Sequence, residues 1–397
     1  MRTGDASYIK KMNRKILIEE IIKNSSLSRS DLARITGLNK ATVSAQINDL
    51  LNEQIVRELS EGESTTRGRK PILIEINESA GFSIGMDIDD DHINIIFTNL
   101  KGKPFHQFEL TIEHYDLDQI TEQLINELSP LIKKYKHTHH PIGLVGIGGG
   151  IHGIVNNDDE IIFTPKQQWS NIYISDKLED AFQTRVYIEN NANLSVFAEQ
   201  VYDEYLSNLF CVTLHSGIGL GIVSENNIYH GYQGFAGEIG HMIIESNGRV
   251  CTCGNQGCWE LYASENALKK KLSEKDPSLS LDNLPTVLTT PKYKQIFDDY
   301  LDYLAFGLNN IINIFNPEKL IINGSIINHH SALIEEISAK LNSKINNYRI
   351  LKISSLGKDA CVLGGASLAL KHFYDVNVIH FANYDYDAPR LLGHPLH

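Results

Sequence analysis

Residues 237–260 contain the side chains best suited to bind a metal ion. This stretch holds His241 and three of the five cysteines, Cys251, Cys253 and Cys258. Three thiolates and one imidazole are the ligands of a closed, tetrahedral structural zinc site. A disulfide and free thiols in a glycine-rich loop are the alternatives. Zinc is favoured because clustered thiols rarely lack a metal, and because disulfides are rare in the reducing compartment expected below.

The composition is that of an ordinary globular chain. Its 397 residues are enough for two or three domains, and 42% are hydrophobic and 21% charged. No apolar run approaches the roughly 18–20 residues that a membrane span needs. The first residues also lack the apolar segment of a secretory signal. We therefore expect a cytoplasmic protein.

The charge is distributed unevenly along the chain. The net charge is −13, but residues 1–70 hold 13 Lys/Arg against 9 Asp/Glu, a local balance of +4. The remaining residues hold 23 basic against 40 acidic side chains, a balance of −17. A basic head on an acidic body predicts that the head alone meets a polyanion.

The basic head carries the pattern of a helix-turn-helix. Residues 8–24 have apolar side chains at helical spacing. Ser28 and Asp31 form a capping box that opens a second helix, which ends at Gly37. Asn39 is suited to cap a third helix. Two short helices joined by a glycine turn after a supporting helix predict a DNA-binding module, with a dimerisation or protein-binding bundle as the alternative.

Two predicted strands follow the third helix and enclose a basic, polar connection. Residues 55–60 and 71–76 are the strands, so the segment resembles the wing of a winged helix. Hydrogen-bonding side chains on the exposed side of the third helix suit base edges, and the wing bases suit phosphate. The candidate DNA contacts are Asn39, Lys40, Thr42, Ser44 and Gln46 in the third helix, and Arg67, Arg69 and Lys70 in the wing.

The acidic body alternates strands and helices. Residues 82–88 and 92–100 predict paired strands with a turn between them. Residues 143–156 predict a buried strand that runs into a glycine-rich loop, and residues 185–202 a strand, a polar turn and a helix. Strands separated by short glycine turns and helices predict an α/β fold.

The order of motifs in this body resembles the ROK family, which contains bacterial sugar kinases and transcriptional repressors. The motifs are GIGGG at 146–150, ENNAN at 189–193, GFAGEIGHM at 234–242 and CTCGNQGC at 251–258. The similarity runs from about residue 82 to the end. The sequence GLNKATVS at 37–44 resembles the head of ROK repressors, most of all those that respond to xylose in Gram-positive bacteria.

This resemblance implies a winged helix-turn-helix followed by a two-lobed, actin-like α/β body. The implied domains are a head at 1–77, a first lobe at 78–198 and a second lobe at 199–397 whose last helix returns to the first lobe. We also expect a homodimer and, from the cysteine cluster, a structural zinc ion. The implied sugar contacts are Asn190, Asn191, Glu238, His241 and Glu260.

Several positions depart from the pattern of the family's kinases. Asn191 stands where these kinases have the aspartate that deprotonates the sugar, and an amide cannot accept that proton. Carboxylates at 89–91 replace small, neutral residues of the first phosphate loop and would repel a nucleotide. In the second loop His215 and Ser216 replace the usual Gly-Thr, and Asn323 interrupts the glycine pair near the base site. We therefore expect no kinase activity.

The most favoured function is a sugar-responsive transcriptional repressor. It would bind double-stranded operator DNA as a dimer and be released by a monosaccharide, with D-xylose favoured by the resemblance alone. A sugar kinase with a regulatory DNA-binding head is one alternative. A DNA-binding protein whose body has become a platform for a protein partner is another.

Overall fold

The computed structural model describes residues 6–59, 71–277 and 290–381. The chain divides into two compact units. The first comprises Met1–Leu194, Val201–Tyr205 and Cys361–His397, and the second Ser195–Gln200 and Leu206–Ala360. Within the described ranges, no helix combines the length and the apolarity that crossing a membrane requires.

Three helices begin the first unit: α1 (Ala6–Asn24), α2 (Arg29–Thr36) and α3 (Lys40–Asn52). The Ser28 hydroxyl accepts the backbone N–H of Asp31 at 3.1 Å, as the capping box predicts. Gly37 ends α2 in the left-handed conformation, with φ 70°. The Asn39 side chain accepts the N–H of Thr42 at 2.8 Å and caps α3. The predicted helix-turn-helix is therefore confirmed.

A small antiparallel sheet completes the head. Its strands are β1 (Leu27–Ser28), β2 (Val56–Leu59) and β3 (Leu73–Ile76), in the order β1-β3-β2. Two of these strands are the predicted ones, and the short β1 is an addition. Arg67, Arg69 and Lys70 lie outside the described residues.

A five-stranded sheet forms the centre of the first unit. The next strands along the chain are β4 (Gly81–Ile88), β5 (His92–Asn99), β6 (Pro104–Thr111), β7 (Gly143–Ile151), β8 (Ile154–Val155), β9 (Ile161–Phe163), β10 (Ser170–Ile172) and β11 (Val186–Asn190). The central sheet has the order β11-β7-β4-β5-β6, while β8, β9 and β10 form a separate small sheet. The strands β4, β7 and β11 run parallel, so their carboxyl ends meet at one edge.

Helices α4 (Leu117–Thr138) and α5 (Ser175–Phe182) contact this sheet, whereas the residues of α6 (Asn191–Tyr202) are divided between the two units. The first of them is close to its prediction at 116–136, and Leu124 and Leu128 on it are fully buried with Phe82 and Phe97 of the sheet. Two local predictions are wrong. Gly148, Gly149 and Gly150 lie inside β7 rather than in a loop, and β11 passes directly into α6 without a polar turn.

The second unit repeats the strand order of the first. Its strands are β12 (Leu209–Leu214), β13 (Ile218–Ser224), β14 (Asn227–Ile228), β15 (Lys319–Asn323) and β16 (Ile350–Ile353). They pair in the order β14-β13-β12-β15-β16. The helices here are α7 (Glu260–Ala263), α8 (Glu265–Lys275), α9 (Pro291–Phe315), α10 (Ser325–His329) and α11 (Leu333–Lys340). Trp259, fully buried, packs over Gly307 of α9, where a Cβ atom would lie 2.0 Å from the indole.

The last described helix, α12 (Ala360–Tyr374), lies almost entirely in the first unit and packs closely against β4 and β7. A Cβ atom on Gly148 would lie 2.1 Å from the carbonyl oxygen of Gly365, so only glycine permits this approach. At this point the backbone of α12 packs directly against the backbone of β7.

The residues just beyond α12 contact the first helix of the head. Asp375 forms ion pairs with Lys11 at 2.9 Å and with Lys15 at 2.8 Å. The Glu19 carboxylate accepts the backbone N–H of Asn377 at 2.8 Å. These contacts hold α1 against the residues that follow α12, within the first unit.

Candidate metal centre, sugar site and DNA interface

His241, Cys251, Cys253 and Cys258 form a compact cluster in the second unit. Their ligand atoms all lie within 4.8 Å of one another. The sulfur atoms of Cys253 and Cys258 are 3.7 Å apart, as are the Cys251 sulfur and His241 Nδ1. A tetrahedral zinc ion holds such atoms about 3.6–3.8 Å apart, whereas a disulfide needs about 2.05 Å. The donor set therefore fits zinc, and none of the described cysteines forms a disulfide.

Glycines permit the loop to wrap around this cluster. Gly254 and Gly257 have φ values of 96° and 80°, which side chains rarely adopt. A Cβ atom on Gly257 would lie 1.8 Å from the carbonyl oxygen of Glu245, so this position excludes any other residue. The backbone N–H of Cys251 donates to the Asn255 carbonyl at 2.8 Å and closes the turn.

Two of the three thiols of this cluster, those of Cys251 and Cys258, disfavour charge in the absence of a cation. Burial, followed by the neighbouring thiols, raises the pKa of Cys258 to about 12. Burial also raises the pKa of Cys251, while the N–H of Asn255 lowers the pKa of the exposed Cys253. A divalent cation would stabilise all the thiolates together, since a bound metal is the largest local charge in such a site.

Two carboxylates flank His241 on different sides of its ring. Glu238 Oε2 lies 3.9 Å from Nε2, whereas Glu260 Oε1 lies 3.5 Å from Nδ1. Since Nδ1 also faces the Cys251 thiol, the ring can hold a metal through Nδ1 and present Nε2 to Glu238. The second unit thus brings together three of the five predicted sugar contacts.

The other two predicted sugar contacts lie in the first unit, where β11 meets α6. Asn190 Oδ1 accepts the backbone N–H groups of Ala192 at 2.8 Å and Asn193 at 3.2 Å. Its Nδ2 donates to the Gly153 carbonyl at 2.8 Å. Asn190 therefore acts as the N-terminal cap of α6, a role that the sequence pattern does not reveal. Asn191 is the first residue of that helix and is half-buried.

Asp87, just before the carboxylates that depart from the kinase pattern, and Asn323, which itself departs from it, have defined surroundings. Burial, and next the charge of Asp89, raise the pKa of Asp87 to about 6. In the second unit Asn323 is 1% exposed, and its amide donates to the Gly357 carbonyl at 2.9 Å. The Asn323 oxygen accepts from the Asn328 amide at 2.8 Å. Asn323 therefore fills space that glycine would leave open.

One predicted DNA contact is wrong in its placement. Gln46 is only 4% exposed, and its amide donates to the carbonyl of Lys10 at 3.4 Å. The reason is helical spacing: Gln46 follows Val43 by three residues and precedes Ile47, so it shares the face of α3 that packs inward. Of the other predicted contacts in this region, Asn39 and Lys40 are exposed, and Thr42 and Ser44 are half-buried.

Sequence reasoning missed His152. Its Nδ1 lies 3.3 Å from the Asp90 carboxylate. The two residues follow the carboxyl ends of the neighbouring parallel strands β7 and β4, and that adjacency is the signal that could have found them.

The fold and its clusters define a winged helix-turn-helix protein with a body of two sheets of the same order. A profile described as winged helix-turn-helix DNA-binding matches residues 10–57. The profile of the ROK family matches residues 83–372. The chain belongs to the ROK family.

Individual relatives extend over most of the chain. The xylose repressor of Bacillus spizizenii is 37% identical over 390 residues, covering 95% of this chain and 99% of that repressor. A ROK family transcriptional regulator described as a homologue of the E. coli MLC protein superposes with a TM-score of 0.79 at 22% identity, covering 92% and 97%. A ROK glucokinase from Streptomyces griseus, solved with glucose and AMPPNP, has a TM-score of 0.60 at 22% identity, covering 72% and 99%. The two structures show the fold alone.

Proposed function

We propose that this chain is a sugar-responsive transcriptional repressor. Its head binds operator DNA, and a monosaccharide, D-xylose, releases it. The observation that carries this proposal is the similarity to a xylose repressor at 37% identity, because it spans the head and the body together. Similarity to a sugar kinase alone would account for the body of the chain but not for the head.

The head supplies the means of binding DNA. The exposed Lys40 stands at the start of α3, the second helix of the helix-turn-helix and the one that enters the major groove in such modules. Thr42 and Ser44 follow on the same helix and suit base edges. A homodimer would place two such helices about 34 Å apart on a palindromic operator.

The body supplies the sugar contacts. Glu238 and Glu260 offer carboxylate acceptors beside His241, and Asn190 and Asn191 offer amides; these are the groups that bind adjacent hydroxyls. Zinc at the three cysteines and His241 would hold the imidazole in place without touching the sugar. The sugar can weaken DNA binding only as far as it binds the DNA-free state more tightly.

The test is a DNA-binding titration of the full chain. The operator is first selected from random duplexes, and its affinity is then measured by fluorescence anisotropy at fixed salt with D-xylose, D-glucose or no sugar. We expect D-xylose to weaken binding and D-glucose to have little effect. Release by a different sugar would replace the inducer but keep the mechanism, whereas indifference to every monosaccharide would exclude a sugar-released repressor.

A sugar kinase with a regulatory head is the second candidate, favoured by the fold shared with a glucokinase. We propose that this chain has no such activity, because Asn191 cannot act as a base and the carboxylates at 89–91 oppose a nucleotide. Calorimetry separates the two candidates. Heat with sugar but none with ATP supports the repressor, and ATP-dependent phosphorylation of the sugar would establish the kinase.

A further inference from the structure

Three side chains that lie outside the proposed DNA, sugar and zinc contacts meet at the carboxyl end of the first unit's sheet. Asp89 and Asp90 directly follow β4, and His152 directly follows β7. Because these strands are parallel and Ile88 pairs with Ile151, the residues that follow them are neighbours. One ligand atom from each of the three side chains lies within 4.8 Å of the others.

The separations suit a shared cation. His152 Nδ1 lies 3.3 Å from Asp90 Oδ1 and 3.9 Å from Asp89 Oδ1. A six-coordinate divalent cation with bonds of about 2.1–2.4 Å holds adjacent ligand atoms about 3.0–3.4 Å apart and opposite ones about 4.2–4.8 Å apart. The 3.3 Å separation matches adjacent ligands, and the 3.9 Å separation lies between the adjacent and the opposite ranges, so one ion can reach all three side chains with small adjustments.

Gln167 places a buried, unpaired oxygen next to Asp89. Its side chain is 7% exposed, and its Nε2 donates to the carbonyl oxygen of Asp89 at 2.9 Å. This bond fixes which end of the amide is nitrogen and which is oxygen. The oxygen, Oε1, is buried and has no hydrogen-bond partner among the described residues. A buried acceptor that is left unpaired destabilises the folded chain, and a cation would remove that penalty.

Asp87 adds negative charge beside the cluster. Its Oδ1 is also buried and, in the part of the chain that the structure describes, accepts no hydrogen bond. Crowded carboxylates at a partly buried position are the arrangement that a divalent cation stabilises.

We propose that Asp89, Asp90 and His152, together with the Gln167 amide oxygen, bind a divalent cation. Carboxylate and amide oxygens favour a hard ion, and the imidazole extends the choice toward the first transition row. Mn²⁺ satisfies both preferences. The thiolate cluster selects zinc instead, so the chain would hold two sites of different chemistry.

The experiment titrates the full chain with Mn²⁺ and follows the electron paramagnetic resonance signal of the free ion. The test variants are Asp90→Asn and His152→Ala. Asp91→Asn is the matched control, because that carboxylate is 81% exposed and contacts His92 rather than His152. We expect Mn²⁺ binding by the unaltered chain to weaken at least about tenfold in each test variant and to persist in the control.

Crystals of the unaltered chain soaked in Mn²⁺ give a readout that does not depend on the folding of any variant. An anomalous peak bounded by Asp89, Asp90 and His152 supports the proposal. It is overturned if the unaltered chain fails to bind millimolar Mn²⁺, if both test variants bind as well as it does, or if the peak lies elsewhere.

Discussion

At the scale of single residues, one imidazole of the second unit, that of His241, belongs both to the candidate metal ligands and to the candidate sugar contacts. His241 faces the Cys251 thiol and Glu260 through Nδ1, and Glu238 through Nε2. A metal on Nδ1 would set the orientation of the ring, and hence the direction in which Nε2 points. Loss of the metal should therefore change the surroundings of Glu238 and Glu260 as well as the conformation of the cysteine loop.

The first prediction concerns Cys253→Ser. We expect the unaltered chain to bind about one zinc ion. The variant should lose most of this zinc, because serine is a poor zinc ligand, and should melt at a lower temperature. Zinc is measured by mass spectrometry and melting by circular dichroism. Thr252→Ser, at the adjacent exposed position, should behave like the unaltered chain. A Cys253→Ser chain that retains its zinc would contradict the proposed ligand set.

Residue types alone were sufficient to predict a site where those residue types have few possible roles. Three thiols and an imidazole in one short loop have few roles, so the cluster could be predicted before its geometry was known. An amide is different, because it can bond DNA, a sugar or the chain itself. Gln46, Asn190 and Gln167 all bond backbone carbonyl oxygens, and a pattern of residue types does not contain the positions of those partners.

At the scale of elements, α3 and β7 show how packing decides what a side chain can reach. One turn of α3 separates the exposed Lys40 from Val43, which is fully buried. On β7, adjacent glycines meet different neighbours: Gly148 faces the backbone of α12, and Gly149 faces the flexible end of Ile188. Each difference leads to a prediction with a matched control.

The second prediction concerns Lys40→Ala. Lys40 is a cation at the start of the helix that enters the major groove, so its removal should weaken DNA binding and reduce the slope of log affinity against log salt by up to about one. Lys133→Ala removes the same charge from an exposed position on α4 and should leave both quantities unchanged. The measurement is fluorescence anisotropy at several salt concentrations, and an unchanged salt slope in Lys40→Ala would remove this residue from the DNA interface.

The third prediction compares Gly148→Ala with Gly149→Ala. The new methyl at position 148 would lie 2.1 Å from the Gly365 carbonyl oxygen, and two backbones must separate to admit it. The methyl at position 149 would lie 3.0 Å from Ile188 Cδ1, which can rotate away. We expect Gly148→Ala to lower the free energy of unfolding by at least about 1–3 kcal/mol and Gly149→Ala by less. Urea unfolding measures both, and equal losses would contradict the described packing.

The helices and strands were largely predictable because apolar spacing and caps are local. The glycine run at 148–150 was not, since its role depends on a helix more than 200 positions later in the chain. A sequence rich in glycine predicts a loop by default. Here glycine instead serves the close approach of α12 to a central strand.

At the scale of the whole molecule, one buried carboxylate of the head also forms an ion pair with a residue of the first sheet's connections. Glu75 of β3 is 7% exposed and pairs with Arg57 at 2.6 Å and with Lys101, which lies between β5 and β6. Burial alone would raise the pKa of Glu75, but the hydrogen bonds from Lys101 and Arg57 outweigh it and hold this pKa below its usual value. The ionised form is therefore stabilised by folding.

The fourth prediction follows from the sign of that shift. A lowered pKa means that the stabilisation is present above the unfolded pKa of about 4.3 and is lost as the pH falls through the folded value. Glu75→Gln should lower the free energy of unfolding by about 1–3 kcal/mol at pH 7, and the difference should shrink toward pH 3. The measurement is urea unfolding across this range.

Glu122→Gln, on the exposed side of α4, serves as the control and should change little at any pH. A deficit in Glu75→Gln that stayed constant down to pH 3 would mean that the carboxylate acts through packing and not through its charge.

The contacts between α1 and the residues beyond α12 also bear on the order in which the protein is made. Glu19 and Asn377 are 358 positions apart, so at about 5–20 residues per second the ribosome needs about 20–70 s to connect them. Throughout that interval the helix-turn-helix exists without Asp375 beside Lys11 and Lys15. A nascent chain therefore carries a DNA-binding motif well before that motif can contact the body. Both ends of this contact exist only after the chain has been extended past residue 377.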